Sequence, residues 1–135
     1  MIHFTQLNLH KAKMAAIDLH SKLQCRNDVA LLTEPYIARG KIVGLPTGYA
    51  AFLANNTAGG AEGTSTCRAA ILIPRGMTAV KIDRLCHGDC IVVMLTTANS
   101  KFMLASIYLD INKEVNPEWL QQVVTYADSL SLIHI

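Results

Sequence analysis

The stretch Asp28–Ile37, which reads Asp-Val-Ala-Leu-Leu-Thr-Glu-Pro-Tyr-Ile, decides the fold of this chain. Its apolar run Val29–Leu32 shows no helical period and predicts a strand that is buried on both faces. Pro35 lacks an N–H group and favours an extended conformation in the residue before it, so we expect the strand to end at Glu34. Ligands of open α/β sheets bind at the C-terminal ends of strands, and Glu34 is therefore a candidate site residue. The alternative is a carboxylate that lies in water at the edge of the sheet.

The residues before this strand predict a βαβ unit. Ile2–Leu9 can form a first strand, and a helix is expected from about Lys11 to Leu23. Its apolar residues lie on one stripe at helical spacing: Ala12, Ala15, Ala16, Leu19 and Leu23. A strand, a crossover helix and a second strand imply a parallel pair of strands with the helix packed on one face.

The middle of the chain is richer in glycine. Arg39–Gly48 is expected to be an exposed loop, Tyr49–Ala54 a short strand and Asn55–Thr66 a flexible loop. The connections between the strands that follow are too short for crossover helices, so we expect these strands to pair antiparallel as one meander. The meander comprises Arg68–Ile73, Thr78–Ile82, Cys90–Thr96 and Phe102–Tyr108.

The last element that the sequence predicts is a helix. Asn116 is suited to the N-cap, Pro117 to the first helical position and Glu118 to the positive end of the helix dipole. Its apolar stripe comprises Leu120, Val123, Val124, Ala127 and Leu130. The chain ends in a further apolar run, Ser131–Ile135, so we expect residues 1–135 to be a single domain that is truncated at its C-terminus.

The composition is that of a folded domain, with 135 residues of which 51% are hydrophobic and 16% charged. A net charge of +2 and the lack of a basic run give no sign of a polyanionic partner by themselves. The four cysteines are irregularly spaced, and the N-terminus lacks the regions of a signal peptide. No apolar run approaches the roughly 18 residues of a membrane span. We therefore expect an intracellular protein that is neither secreted nor bound to a membrane.

Three polar residues lie at or near the C-terminal ends of predicted strands: Asn8, Glu34 and Tyr108. If these ends gather at one edge, they offer an amide, a carboxylate and a phenol. One carboxylate together with substrate phosphate can hold a hard cation such as Mg²⁺, and the other two groups can hydrogen-bond phosphate oxygens. The alternative is an asparagine in a turn and a tyrosine that packs its ring.

The sequence does not decide the structural or functional role of two further features. Cys86-His87-Gly88-Asp89-Cys90 contains metal-ligand residue types, but a structural zinc site needs a second pair of ligands, so a turn between two strands is the expected structure. Arg68 begins a buried strand, where it can pair with an acidic group or point at a phosphate.

Several segments resemble motifs of the endonuclease/exonuclease/phosphatase superfamily, and the details are most similar to the apurinic-type endonuclease domain of non-LTR retrotransposons. The segments that resemble the superfamily's motifs are Leu7–Leu9, Ala30–Tyr36 and Ser106–Tyr108. The segments that are similar to the retrotransposon domain are Glu34–Tyr36 followed by Gly40–Leu45, Arg68–Ile73 and Ser106–Asp110. The resemblance covers nearly the whole chain, with its motifs in the family's order.

This resemblance implies the N-terminal portion of a four-layer α/β (α+β) sandwich, with a βαβ unit followed by an antiparallel meander and a helix. It also implies a phosphodiesterase dependent on Mg²⁺ or Mn²⁺ that nicks DNA, in a nuclear retrotransposon polyprotein with reverse transcriptase. By the same resemblance Glu34 is a metal ligand, Asn8 helps to order the metal or phosphate site, and Tyr108 binds the scissile phosphate. These three residues are the candidate catalytic residues.

Two departures from the family pattern stand out. Leu109–Asn112 replaces a Pro-Asn pair that helps related enzymes to contact DNA, so no such contact is carried over. The family's Asp-x-Asn strand and its terminal Asp-His pair have no counterpart before Ile135, so residues 1–135 alone are expected to be inactive. Two alternatives remain: another phosphoesterase of the superfamily, acting on a phospholipid, an inositol phosphate or an RNA tail, and a decayed copy without catalytic function.

Overall fold

The computed structural model describes residues 2–25, 28–54, 67–109 and 118–129. Its strands are β1 (Phe4–Asn8), β2 (Val29–Thr33), β3 (Ile37–Ala38), β4 (Lys41–Ile42), β5 (Tyr49–Leu53), β6 (Ala69–Pro74), β7 (Thr78–Lys81), β8 (Cys90–Thr96) and β9 (Lys101–Ile107). Its helices are α1 (Lys13–Cys25) and α2 (Glu118–Ser129), with one 3₁₀ turn at Asp83–Leu85.

The βαβ prediction is confirmed. β1 and β2 pair in parallel, with Phe4 opposite Val29 and Asn8 opposite Thr33. Leu19 and Leu23 of α1 are buried in the core that includes β2. A helix packed over a parallel pair places the C-terminal ends of both strands at the same edge of the sheet.

The prediction of one four-stranded meander is wrong, because the strands divide between two sheets. The first sheet has the order β1-β2-β6-β5, and the second has the order β7-β8-β9. β6 is buried at all six positions, so it needs strands on both sides and cover on both faces, which the central place between β2 and β5 provides. The turn at Pro74–Met77 then carries the chain into the second sheet, where only the last three strands form the meander.

Two smaller expectations also need correction. The stretch expected as the loop Arg39–Gly48 contains β4, which pairs with β3 just before it to form a short hairpin. Val124 was expected in the apolar stripe of α2, but it is 38% exposed, whereas Val123 and Ala127 are buried. The predicted loop Asn55–Thr66 and the residues Asn116, Pro117, Leu130 and Ser131–Ile135 lie outside the described residues.

The two sheets pack face to face and each carries a helix on its outer side. Leu72 of β6 shares one core with Ile91 and Val93 of the second sheet, and the α1 leucines belong to the same core. A second core joins Val92 and Met103 to the buried face of α2. The order helix, sheet, sheet, helix is the four-layer α/β (α+β) sandwich that the resemblance implied. No helix in the described ranges is long and apolar enough to cross a membrane.

Candidate active site

The ends of strands from both sheets meet at one edge of the sandwich, which we call the rim. β2 and β6 run antiparallel with Thr33 opposite Ala69, so the end of β2 lies beside the start of β6. β8 and β9 run antiparallel with Cys90 opposite Ile107, which places the end of β9 beside the start of β8. The Ser106 hydroxyl donates a 2.8 Å hydrogen bond to the Leu32 carbonyl and joins these ends across the two sheets. The rim therefore brings together Asn8, Glu34, Arg68, Asp89 and Tyr108.

Glu34 has a left-handed backbone, with φ at +49°, and not the extended conformation expected before proline. Two backbone hydrogen bonds hold it: its N–H donates to the Arg68 carbonyl at 2.9 Å, and its carbonyl accepts from the Lys11 N–H at 2.8 Å. A non-glycine residue in this region is held at an energetic cost of roughly 1–3 kcal/mol, and such residues cluster at functional sites. Its side chain is 21% exposed, and Oε2 lies 3.5 Å from Nδ1 of His10. Glu34 is therefore neither buried in the core nor simply a carboxylate in water.

Asn8 is the last residue of β1, opposite Thr33 and thus one position away from the level of Glu34. Its side chain is exposed, and Oδ1 accepts a 2.9 Å hydrogen bond from the His10 N–H. This contact is that of an asparagine in a turn, which the sequence had left open beside a role in the site. It holds the amide in the turn that leads to His10, the residue that pairs with Glu34, so the local turn and a place at the site are compatible.

Tyr108 follows the last residue of β9 and is half-buried. Its N–H donates a 2.8 Å hydrogen bond to the Asp89 carbonyl. The guanidinium carbon of Arg68 lies 4.9 Å from the centre of its ring, which is within cation–π distance. The ring therefore does pack, against a charged group of the rim.

Arg68 and Asp89 form a bidentate ion pair across the two sheets. Nε of Arg68 lies 2.5 Å from Oδ1 of Asp89, and Nη2 lies 2.9 Å from Oδ2. The structure thus answers the question that the sequence left open for Arg68, because the guanidinium pairs with an acidic group.

Sequence reasoning missed Asp89 and His10 as residues of the rim. The available signals were an acidic residue directly before a buried strand and a histidine two positions after Asn8.

The segment Cys86–Cys90 forms the expected turn, in which His87 and Cys90 exchange backbone hydrogen bonds of 3.0 and 3.1 Å. Burial raises the pKa of the Cys90 thiol to about 12, with smaller contributions from Cys86 and Asp89. Burial also raises the pKa of Cys86, and a protonated thiol is a poor metal ligand. The His87 ring packs edge-on against Trp119 at 4.2 Å between ring centres. Across residues 2–25, 28–54, 67–109 and 118–129, no group of three or more His, Cys, Asp or Glu side chains could hold a metal ion.

The donors at the rim fit a hard divalent cation better than a soft one. The carboxylate of Glu34 and the amide of Asn8 offer oxygen ligands, and Mg²⁺ is commonly bound through one or two carboxylates, with water and substrate phosphate completing its shell. Glu34 keeps part of its side chain accessible, as a ligand must. One carboxylate gives an open coordination shell, which suits a metal that is bound together with a phosphate.

The four-layer sandwich is similar in fold to a solved endonuclease domain. Neither the protein-family models nor the curated proteins provide a match to the chain. A solved structure that it resembles is the endonuclease domain of TRAS1, a telomere-specific non-LTR retrotransposon, with a TM-score of 0.75 and 23% sequence identity. The likeness covers 96% of this chain and 54% of the TRAS1 domain, so the chain spans about half the length of that domain. The relationship that the motifs suggested is thereby supported at the level of the fold.

Proposed function

We propose that this chain contributes one half of the active site of a metal-dependent endonuclease that nicks DNA, within a retrotransposon polyprotein that also carries reverse transcriptase. The observation that carries the proposal is the meeting of Asn8, Glu34 and Tyr108 at one rim of an endonuclease-type sandwich. The three residues lie at the ends of separate strands of two sheets, and sequence motifs independently pointed to each of them.

In this proposal each residue has a distinct task. Glu34 holds Mg²⁺ or Mn²⁺ through its carboxylate, and Asn8 orders the ligand shell beside it. Tyr108 donates a hydrogen bond from its hydroxyl to an oxygen of the scissile phosphate. The cation, when bound, polarises the phosphate and offsets the negative charge that develops on it. The remaining ligands and the general base are proposed to come from the half of the domain that this chain does not span.

His10 adds a pairing partner for the carboxylate. Nδ1 of His10 lies 3.5 Å from Oε2 of Glu34, so His10 and the cation would share this carboxylate.

The experiment measures DNA binding by fluorescence anisotropy, with a labelled duplex and increasing Mn²⁺. We expect Mn²⁺ to tighten binding in the wild type and to have no such effect in Glu34→Gln. Glu118→Gln is the matched control, because Glu118 is an exposed carboxylate at the start of α2. Equal responses to Mn²⁺ in all three proteins would rule out the proposed metal site.

Residues 1–135 alone are expected to leave supercoiled plasmid intact in the presence of Mg²⁺. Turnover that Glu34→Ala abolishes would overturn this expectation.

A competition assay distinguishes DNA nicking from the activities of the other phosphoesterases of the superfamily. If inositol phosphate or phospholipid vesicles displace the labelled duplex at a lower concentration than unlabelled DNA does, the result favours one of those enzymes. A decayed copy without function would bind neither Mn²⁺ nor the duplex.

A further inference from the structure

We propose that Arg68 is a positioning residue, held by Asp89, that orients Tyr108 for phosphate binding at the rim. The inference rests on the proposed function and adds to it a residue that itself makes no contact with DNA. It is carried by the geometry of one arginine, one aspartate and one tyrosine at the point where the two sheets meet.

The guanidinium is fixed from one side by a carboxylate. Asp89 accepts from both Nε and Nη2 of Arg68, at 2.5 and 2.9 Å, and this two-point contact sets the plane as well as the position of the guanidinium. The side chains are only 24% and 12% exposed, so the pair is partly shielded from water. A pair in this setting holds its geometry better than an ion pair on the open surface.

The same guanidinium contacts the ring of Tyr108. Its carbon lies 4.9 Å from the ring centre, and the planar cation favours the face of the ring. Tyr108 also contacts Asp89 directly, through the 2.8 Å hydrogen bond between the backbone N–H of Tyr108 and the carbonyl of Asp89. The main chain of Tyr108 and its ring are therefore both tied to the Arg68–Asp89 pair.

The backbone of Arg68 is also hydrogen-bonded to Glu34, the candidate metal ligand. Its carbonyl accepts the 2.9 Å hydrogen bond from the Glu34 N–H, and its own N–H donates to the Gly88 carbonyl at 2.7 Å. Arg68 thus links the strand that carries the carboxylate to the turn that precedes Asp89. A residue at this junction sets the distance between the candidate metal ligand and the candidate phosphate ligand, which catalysis requires to be held within a fraction of an ångström.

A second arginine–tyrosine pair provides a matched control. The guanidinium carbon of Arg84 lies 4.7 Å from the ring centre of Tyr126, where the 3₁₀ turn meets α2. Arg84→Lys removes the same kind of contact as Arg68→Lys, and each variant keeps its positive charge. A change in overall charge cannot explain a difference between the two variants, and their melting temperatures show whether a loss of stability does.

The test is a double-mutant cycle on Mn²⁺-dependent duplex binding, with the melting temperature of every variant measured alongside. We expect Arg68→Lys to weaken binding by about five-fold, the size typical of coupled residues, and Arg84→Lys to leave it unchanged. Tyr108→Phe keeps the ring but removes the hydroxyl. If Arg68 acts through that hydroxyl, Arg68→Lys has little further effect in the Tyr108→Phe background.

Each other result overturns the inference in its own way. Additive losses in the cycle would mean that Arg68 acts on the duplex independently of Tyr108. A lower melting temperature with unchanged duplex affinity would mean that the pair only holds the sheets together. If the wild type itself shows no Mn²⁺-dependent binding, the proposed function fails and the inference fails with it, and this result is read from the wild-type curve alone.

Discussion

The hydroxyl of Ser106 in β9 donates a 2.8 Å hydrogen bond to the carbonyl of Leu32 in β2, and so spans the two sheets. The hydroxyl is buried, and the two residues lie two positions before Tyr108 and Glu34 respectively. This contact therefore fixes how the strand that carries the candidate metal ligand faces the strand that carries the candidate phosphate ligand.

Ser106→Ala removes this bond and is expected to lower the free energy of unfolding by about 1 kcal/mol, since a buried carbonyl loses a partner. Chemical denaturation measures the change. Ser129→Ala is the control, because Ser129 makes a 2.7 Å bond to the Tyr126 carbonyl that is exposed to solvent. We expect a change there within about 0.5 kcal/mol. Equal losses at both positions would contradict a special role for the bond between the sheets.

Gly44 allows the segment after β4 to approach α1. A Cβ atom at this position would lie 2.2 Å from the Ala16 carbonyl oxygen, and φ is +92°. Gly44→Ala is therefore expected to lower the free energy of unfolding by roughly 3 kcal/mol, from backbone strain and overpacking together. Gly48→Ala separates the two causes, because Gly48 has φ of +91° and open space around it. Its loss is expected to be about 1 kcal/mol, and a similar loss at Gly44 would contradict the close approach.

Stability is expected to fall in alkaline solution because of Cys90. Burial raises the pKa of its thiol from 9.0 to about 12 in the folded chain. Between these two pH values the unfolded chain loses the proton and the folded chain keeps it, so the free energy of unfolding decreases as the pH rises. Over this range the free energy of unfolding falls by at most about 1.4 kcal/mol for each pH unit.

Urea unfolding at pH 8 to 10 tests this dependence on Cys90. Cys90→Ala should make the decrease with pH shallower, whereas Val92→Ala, a truncation in the same core, should lower stability without changing the slope. The same slope in wild type and Cys90→Ala would contradict the expected role of the thiol.

Local sequence patterns predicted the elements well where the pattern is self-contained. The parallel pair of β1 and β2 follows from two predicted strands on either side of one predicted helix, and β8 was predicted with its observed ends. The place of β6 could not be read in this way. Its six apolar residues describe burial, but they do not say which sheet provides the neighbours, and the short turn to β7 was misleading because a chain can change sheets within a few residues.

The candidate site likewise contains residues that a local sequence pattern indicates and residues that only tertiary packing brings to it. Asn8, Glu34 and Tyr108 were predicted as candidates because each lies at or near the end of a recognisable strand. Asp89 was not found, because its significance depends on Arg68, 21 residues away in sequence and on the other sheet. The contact of His10 with Glu34 escaped notice for a similar reason, since it depends on the left-handed turn at His10 and Lys11 after β1. Pairings of this kind arise from tertiary packing, and a linear pattern does not carry them.

The most direct test of the central claim is Mn²⁺ binding to the rim, measured by electron paramagnetic resonance of the free ion. The account predicts a saturable site in the wild-type chain that is lost in Glu34→Gln and retained in Glu118→Gln. If Glu34→Gln binds Mn²⁺ with the wild-type isotherm, Glu34 is not a metal ligand and the proposed catalytic rim is wrong.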